Sequence, residues 1–173
     1  MMPHEKHRSS GPTKLAVVVV TVSTSRYASK QSEAKVSDES GDVASREIGS
    51  LGYSLARRTL VSDEPEMIRS EIRNFLSGKE DVLLLLGGTG VSRRDVTIET
   101  ARPFFEKELD GFGELLRRVS YDEIGAAAFL TRATAGVSRG KLILCLPGSP
   151  AAVETALRAT ISELPHILYV ARL

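Results

Sequence analysis

Hydrophobic positions in this chain fall into short unbroken runs separated by segments of helical spacing. Leu15 to Val22 is a nearly continuous β-branched run, the pattern of a strand buried on both faces. Ser23 to Ser37 is polar and rich in Ser and Lys, which predicts a loop over the sheet edge. Its length suggests a role, because loops beyond about 12–15 residues in a compact domain are usually functional or disordered. From Asp38 to Leu51, Val43, Ile48 and Leu51 suit one face of a helix that Gly52 stops. Tyr53 to Val61 predicts a second strand, more exposed than the first because it carries Arg57 and Arg58.

Ser62-Asp63-Glu64-Pro65-Glu66 opens the next helix, with Pro65 in its first turn, an apolar stripe of Ile68, Ile72, Phe75 and Leu76, and Gly78 at its end. Val82 to Leu86 is a third buried strand, and Val96 to Phe105 a helix interrupted at Pro103. Beyond Gly111-Phe112-Gly113, Glu114 to Val119 and Ile124 to Leu130 read as two short helices. Arg132 to Leu146 predicts two strands around Ser138-Arg139-Gly140, as in a hairpin. At Leu146-Pro147-Gly148-Ser149-Pro150 the chain turns from strand into helix, with Ser149 as N-cap and Pro150 at the first helical position. Near the C-terminus Leu164, Ile167, Leu168, Tyr169 and Val170 suit a core or a subunit interface, which periodicity does not separate.

Strands alternating with helices indicate an α/β domain with a largely parallel sheet covered on both faces. Ligands of such sheets collect outside the carboxyl ends of the strands. Three predicted loops leave strand ends, at Ser62 to Pro65, Gly87 to Gly90 and Pro147 to Pro150, and are expected to face one cleft.

Composition narrows the function classes. The chain has 173 residues, enough for one domain with a substantial core, and 23 basic against 22 acidic residues leave a formal net charge of +1. That balance argues for neither nucleic-acid nor membrane binding. No apolar run approaches the roughly 20 residues of a transmembrane helix. The single cysteine, Cys145, lies in an apolar run and reads as a buried small hydrophobe; a reducing, cytoplasmic compartment fits. Residues 1–14 are polar, lack the apolar segment of a signal peptide, and read as a flexible tail whose His4 and His7 are solvated.

Candidate chemistry concentrates after the third strand. Gly87-Gly88-Thr89-Gly90 would bring backbone N–H groups close to an anion, with Arg93 and Arg94 to neutralise it and Asp95 to hold a divalent metal. The loop lacks the Gly-Lys-Ser/Thr ending of a P-loop, and Arg93 stands where a dinucleotide fingerprint needs glycine. A tight strand-to-helix turn with Thr97 as N-cap is the bland alternative, and the added charges favour the anion site. Asp63 competes with a capping role, since Ser62 or Asp63 can cap and Glu66 can complete a capping box. Asp38, Glu39 and Asp42 suit a helix start, with polar contacts to a ligand as the alternative. Pro147-Gly148-Ser149 is a rigid turn whose backbone can also grip a flat base.

Gly87-Gly88-Thr89-Gly90 followed by Arg94-Asp95-Val96-Thr97, then Gly111-Phe112-Gly113-Glu114, Thr131-Arg132-Ala133-Thr134-Ala135-Gly136 and Leu146-Pro147-Gly148-Ser149-Pro150, resembles the MoaB/MogA family of molybdenum cofactor biosynthesis, to which the gephyrin G domain also belongs. The motifs stand in the family's order from Leu15 onward, over residues 15–173. The resemblance implies a single-domain three-layer α/β/α sandwich with a mostly parallel mixed sheet, assembled as a homo-oligomer, a trimer or a hexamer built of two trimers. It implies Mg2+-dependent adenylylation of molybdopterin by ATP, with release of pyrophosphate, ahead of molybdate or tungstate insertion. Asp95 and Asp63 would be the metal-associated, catalytic carboxylates. Gly87, Gly88, Thr89 and Gly90 would cradle phosphate, and Pro147, Gly148 and Ser149 would border the adenosine. Asp38, Ser40 and Gly41 match the family's acidic helix-start segment on the substrate side, and Ser120 and Arg132 would lie toward the pterin. The related insertase branch uses a different glycine loop and additional domains. A MoaB-type protein that binds molybdopterin or nucleotide without catalysis is the alternative function.

Overall fold

The computed structural model describes residues 11–32 and 36–173. The histidines at 4 and 7 and most of the expected tail lie outside them; Gly11 already packs against Pro165. Six strands form one sheet among the described residues: β1 (Ala16–Val22), β2 (Ser54–Val61), β3 (Val82–Leu86), β4 (Lys107–Glu108), β5 (Thr134–Ser138) and β6 (Lys141–Leu146), in the order β2-β1-β3-β6-β5-β4. β1 runs parallel to β2 and β3, and β3 to β6, while β5 and β4 are antiparallel additions at one edge. This is the mostly parallel mixed sheet expected.

Alternation of side chains across β1, β3 and β6 feeds two cores. Val17, Val19, Leu84, Leu86, Leu142, Leu144 and Leu146 face helices α2 (Glu39–Ser50), α5 (Asp110–Ile124), α6 (Pro150–Thr160) and α7 (Leu164–Ala171). Val18, Val20, Leu83, Leu85, Ile143 and Cys145 face α3 (Pro65–Ser77) and α4 (Thr97–Ala101). Helices therefore cover both faces, and β1, β3 and β6 are apolar apart from Thr21 and Lys141 because neither of their faces meets water. Full burial pushes the Cys145 thiol up to about 12, which keeps it protonated and unreactive. β2, at the sheet edge, is exposed or half-buried from Ser54 to Thr59 and buried only at Leu60 and Val61, so it is more exposed than β1, as expected. No helix among the described residues is long and apolar enough to cross a membrane.

Three segments differ from expectation. Thr24–Gln31, expected as loop, is a helix, α1, capped by Ser23 and burying none of its residues. A helix without a buried face has no apolar stripe for periodicity to detect. It is braced by local bonds such as Gln31 Nε2 to Tyr27 Oη at 2.9 Å and Ser29 Oγ to the Ser25 carbonyl at 3.0 Å. Residues 33–35 of that stretch lie outside the described residues.

The short helix expected at 114–119 is part of a longer α5, which starts ahead of the glycine cluster and ends where Gly125 takes a positive φ of 62°, and the one expected at 124–130 is a 3-10 turn at Gly125–Leu130. Gly113 is tolerated inside α5 because a Cβ there would press on the Ala133 carbonyl. The helix expected to Phe105 stops at Ala101, and a 3-10 turn carries Pro103. Strand β4, two residues long, is too short to leave a period. Leu164 and Leu168 of the C-terminal apolar group are core, whereas Val170 is exposed.

Leu84→Ala removes a central side chain that is 1% exposed, and is expected to cost about 2–5 kcal/mol of stability, read as a lowered urea midpoint with unchanged m-value.

Candidate functional site

Parallel pairing brings four strand ends to one edge of the sheet. Val22 is level with Val61, Thr21 with Leu86, and Leu86 with Leu146, so the loops after β1, β2, β3 and β6 rise side by side. They enclose a cleft of about 610 Å3 lined by Ser23, Ser25 and Arg26, by Asp63, by Gly87, Gly88, Thr89, Gly90 and Asp95, by Leu130 and Thr131, and by Pro147, Gly148 and Ser149. Its size suits a nucleotide-sized ligand.

The glycine loop is held by its own backbone. Gly87 N donates to the Leu146 carbonyl at 3.0 Å, and the chain then turns with φ of 109° at Gly87 and 64° at Gly88. A Cβ on Gly87 would strike the Val22 carbonyl, and one on Gly88 would strike the Thr97 hydroxyl. Thr97 is not the N-cap: Val96 occupies that place without a side-chain bond. Instead the Thr97 hydroxyl donates to the Gly87 carbonyl at 2.8 Å and its N–H to the Gly88 carbonyl at 3.0 Å, pinning α4 under the loop.

Both candidate carboxylates reach the cleft with one oxygen engaged. Asp95 Oδ2 accepts from Ser92 N at 2.7 Å, closing a turn. Asp63 Oδ2 accepts from the Thr24 hydroxyl at 3.0 Å, and the same hydroxyl accepts from Asp63 N at 3.2 Å and lies 3.0 Å from Ser62 Oγ. The Oδ1 atoms of both take no hydrogen bond from the described residues. Asp63 is also not consumed by capping, because Glu64 precedes α3 and makes no cap bond, so the expected capping box is absent. Among the described residues no group of three or more His, Cys, Asp or Glu forms a preformed metal cage. One or two carboxylates completed by substrate phosphates is, however, how Mg2+ is usually held, and Asp63 and Asp95 fit that donor set.

Arg93 and Arg94, expected to neutralise an anion, are exposed and do not line the cleft. The turn closed by Asp95 and Ser92 carries them outward. Asp38, Ser40 and Gly41 stand behind the cleft wall. Asp38 caps α2 through Gly41 N at 3.1 Å, accepts from the Thr21 hydroxyl at 2.9 Å and pairs with Arg58 at 2.7 Å. Partial burial works to lower the Arg58 guanidinium, but hydrogen bonds to Asp42 and Asp38 outweigh it and raise its pKa. A Cβ on Gly41 would strike Asp38 and Arg58. Buried Ser40 donates to the Gly148 carbonyl at 2.6 Å and so sets the height of the Pro147–Ser149 turn, while Ser149 Oγ caps α6.

A second cavity of about 470 Å3 adjoins the first and shares Thr131 with it. Arg102, Glu108, Arg117, Phe129, Arg132 and Thr134 are among its walls. Arg132 N donates to the Thr89 carbonyl at 3.3 Å, its guanidinium pairs with Glu99, and its Nε is buried without a partner among the described residues. The Thr134 hydroxyl at 2.6 Å, and after it Arg102, hold the Glu108 carboxyl below its ordinary range. Ser120 is buried on α5 and lines neither cavity.

Sequence reasoning missed the contribution of α1, namely Ser23, Thr24, Ser25 and Arg26. The signal was present: β1 is a buried parallel strand, so whatever follows Val22 must rise beside the glycine loop.

Comparison with known proteins identifies the family and the fold. Residues 18–166 match the family model described as "Probable molybdopterin binding domain". A molybdopterin adenylyltransferase of Pyrococcus furiosus is 40% identical over 97% of this chain and 98% of its own length. The molybdenum cofactor biosynthesis protein B of Bacillus subtilis is 38% identical over 96% of each. The crystal structure of the tungsten cofactor synthesizing protein MoaB from Pyrococcus furiosus superposes with a TM-score of 0.82 at 38% identity, covering 94% of this chain and 99% of that one. The chain belongs to this family of molybdopterin-binding domains, in its MoaB/MogA group.

Gly88→Ala forces a left-handed conformation on a Cβ-bearing residue and drives it into Thr97. It is expected to lower stability by about 1–3 kcal/mol in chemical denaturation.

Proposed function

We propose that this member of the MoaB/MogA group is a molybdopterin adenylyltransferase of molybdenum or tungsten cofactor biosynthesis. The observation that carries the reading is one cleft in which Asp63, Asp95 and the Gly87–Gly90 backbone converge, with a second cavity opening beside it at Thr131. The activity is also that of the Pyrococcus furiosus relative by name.

ATP occupies the larger cleft, its adenosine bordered by Pro147, Gly148 and Ser149 and its phosphates over the glycine loop. Molybdopterin occupies the second cavity, with Arg132 on its side. An oxygen of the molybdopterin phosphate bonds to the α-phosphorus of ATP, the bond from that phosphorus to the bridging oxygen breaks, and pyrophosphate leaves with the electron pair. A phosphate monoester is already ionised near neutral pH, so no side-chain base is required. Glycine-loop N–H groups position the chain of phosphates, and Thr97 keeps the loop from relaxing when the anion binds. Asp63 and Asp95 would hold Mg2+ with the nucleotide phosphates, and that ion supplies positive charge beside the reacting oxygens. Thr24 and Ser92 fix which oxygen of each carboxylate remains available.

Oligomerisation into trimers, or hexamers of two trimers, belongs to the same proposal. Leu115, Tyr121, Ile124, Phe129 and Leu130 are all exposed on α5 and the turn after it, with Phe129 86% exposed. Tyr121 and Phe129 line one apolar hollow with Ala126 and Ala128, and exposed apolar surface of this kind marks an association face. Light scattering coupled to size exclusion is expected to give a trimer or hexamer; a monomer would remove the assembly.

Incubation with molybdopterin, Mg2+ and ATP is expected to release pyrophosphate and form adenylylated molybdopterin. Asp95→Asn and Asp63→Asn should each cut turnover by about a hundredfold or more, the scale of losing one preorganised electrostatic partner, while circular dichroism stays native. ATP and molybdopterin binding without product in the wild-type chain would favour a binding protein.

A further inference from the structure

The cleft is short of positive charge on its own walls. Of its lining residues, Asp63 and Asp95 are acidic and Arg26 is the only lysine or arginine. A polyphosphate would add several more negative charges, so Arg26 is the one side chain there able to answer them.

Other candidates for that role are engaged or point elsewhere. Arg58 is spent on Asp38 and Asp42, and Arg132 pairs with Glu99 in the neighbouring cavity. Arg93 and Arg94 are exposed outside the cleft. Arg26 is half-buried and takes part in no ion pair among the described residues. An arginine partly withdrawn from water at the mouth of an acidic cleft, with a planar fork of donors, is suited to bind phosphate bidentately.

Its position is also fixed rather than incidental. Arg26 lies in the first turn of α1, and its neighbour Thr24 bonds to both Asp63 and Ser62 at the end of β2. Ser23 N donates to the Val61 carbonyl at 2.9 Å, a second tie between the start of α1 and β2. The turn carrying the guanidinium is thus locked to the strand end carrying Asp63.

Direction across the sheet identifies which phosphates it meets. In the strand order β2-β1-β3-β6-β5-β4, the glycine loop leaves β3, and Arg26 and Asp63 stand on the β1 and β2 side of it. The second cavity, lined by Arg132, Ala133 and Thr134 at the start of β5, lies on the other side. Phosphoryl displacement requires attacking and leaving oxygens roughly in line. A nucleophile arriving from the Thr131 side therefore expels its leaving group toward α1.

We propose that Arg26 binds the β- and γ-phosphates of the nucleoside triphosphate and the pyrophosphate they become. This rests on the adenylyl-transfer reading for its direction, but the binding it asserts can be measured without turnover. As the bond to the α-phosphorus breaks, negative charge collects on the departing bridging oxygen, and Arg26 stabilises that charge.

The test compares wild type, Arg26→Ala and Arg26→Lys by calorimetry with Mg2+ and either inorganic pyrophosphate, ATP or AMP. Arg26→Ala is expected to weaken pyrophosphate and ATP by about tenfold to a hundredfold, the worth of a charge-assisted hydrogen-bonded pair, and to leave AMP nearly unchanged. Arg26→Lys should recover part of the loss. Equal weakening of AMP and ATP, or no change in either, overturns the assignment. If wild type makes adenylylated product and Arg26→Ala leaves pyrophosphate affinity intact, Arg26 falls and the transferase reading stands. If pyrophosphate binds through Arg26 but no product forms, the transferase reading falls and the binding assignment stands. Wild type that binds neither pyrophosphate nor ATP overturns both.

Discussion

Everything at the functional edge depends on the close approach of bare backbone at Gly87 and Gly148. These glycines follow β3 and β6, whose pairing is already fixed by buried apolar residues on both faces, and a Cβ on Gly148 would lie 3.1 Å from the Gly87 Cα. Side chains at either place would part the two loops and open the cleft floor. Ser40 from behind and Thr97 from below then hold the two loops at this separation through their hydroxyls. The rigidity of the site thus derives from the core beneath it, with few of its own side chains needed.

That economy shapes the electrostatics. A loop of backbone donors can receive an anion without a large charge of its own, which leaves room for two carboxylates where a more basic site would exclude them. Each carboxylate lines the cleft and is steered through one oxygen, Asp63 by Thr24 and Asp95 by Ser92 N, while the other takes no hydrogen bond from the described residues. An arrangement that combines available carboxylate oxygens with free N–H groups is matched to an anionic ligand that brings a cation with it. The same logic gives Arg26 its weight, since a single guanidinium in such a cleft has no local competitor among the lining residues.

Much of the fold was legible because it is driven by complete burial. The runs at 15–22 and 82–86 announce buried strands that the structure forms within a residue or so, and the hairpin expected within 132–146 is β5 and β6. The helix of Ile68, Ile72, Phe75 and Leu76 and the Ser149-Pro150 start of α6 were equally plain, one from periodicity and the other from cap chemistry. Helix α1 was not legible, because a helix with no fully buried residue leaves no hydrophobic signature. The extent of α5 was misread through its glycines, which are punctuation in most helices, although at Gly113 the crowding against the Ala133 carbonyl leaves no room for a Cβ. Within the site, Asp63 was ambiguous between cap and ligand until the absent cap bond removed one option.

By itself the sequence determined the layered α/β architecture, the glycine loop and the set of carboxylates, since burial patterns and turn residues are local properties of the chain. Which charges share the cleft is a matter of strand order and of where each turn sends its side chains, which no local stretch of the chain specifies. Parallel pairing of β1 between β2 and β3 brought Arg26 and Asp63 beside the glycine loop. The turn closed by Asp95 sent the adjacent Arg93 and Arg94 to solvent, although in the sequence they are the arginines closest to the loop.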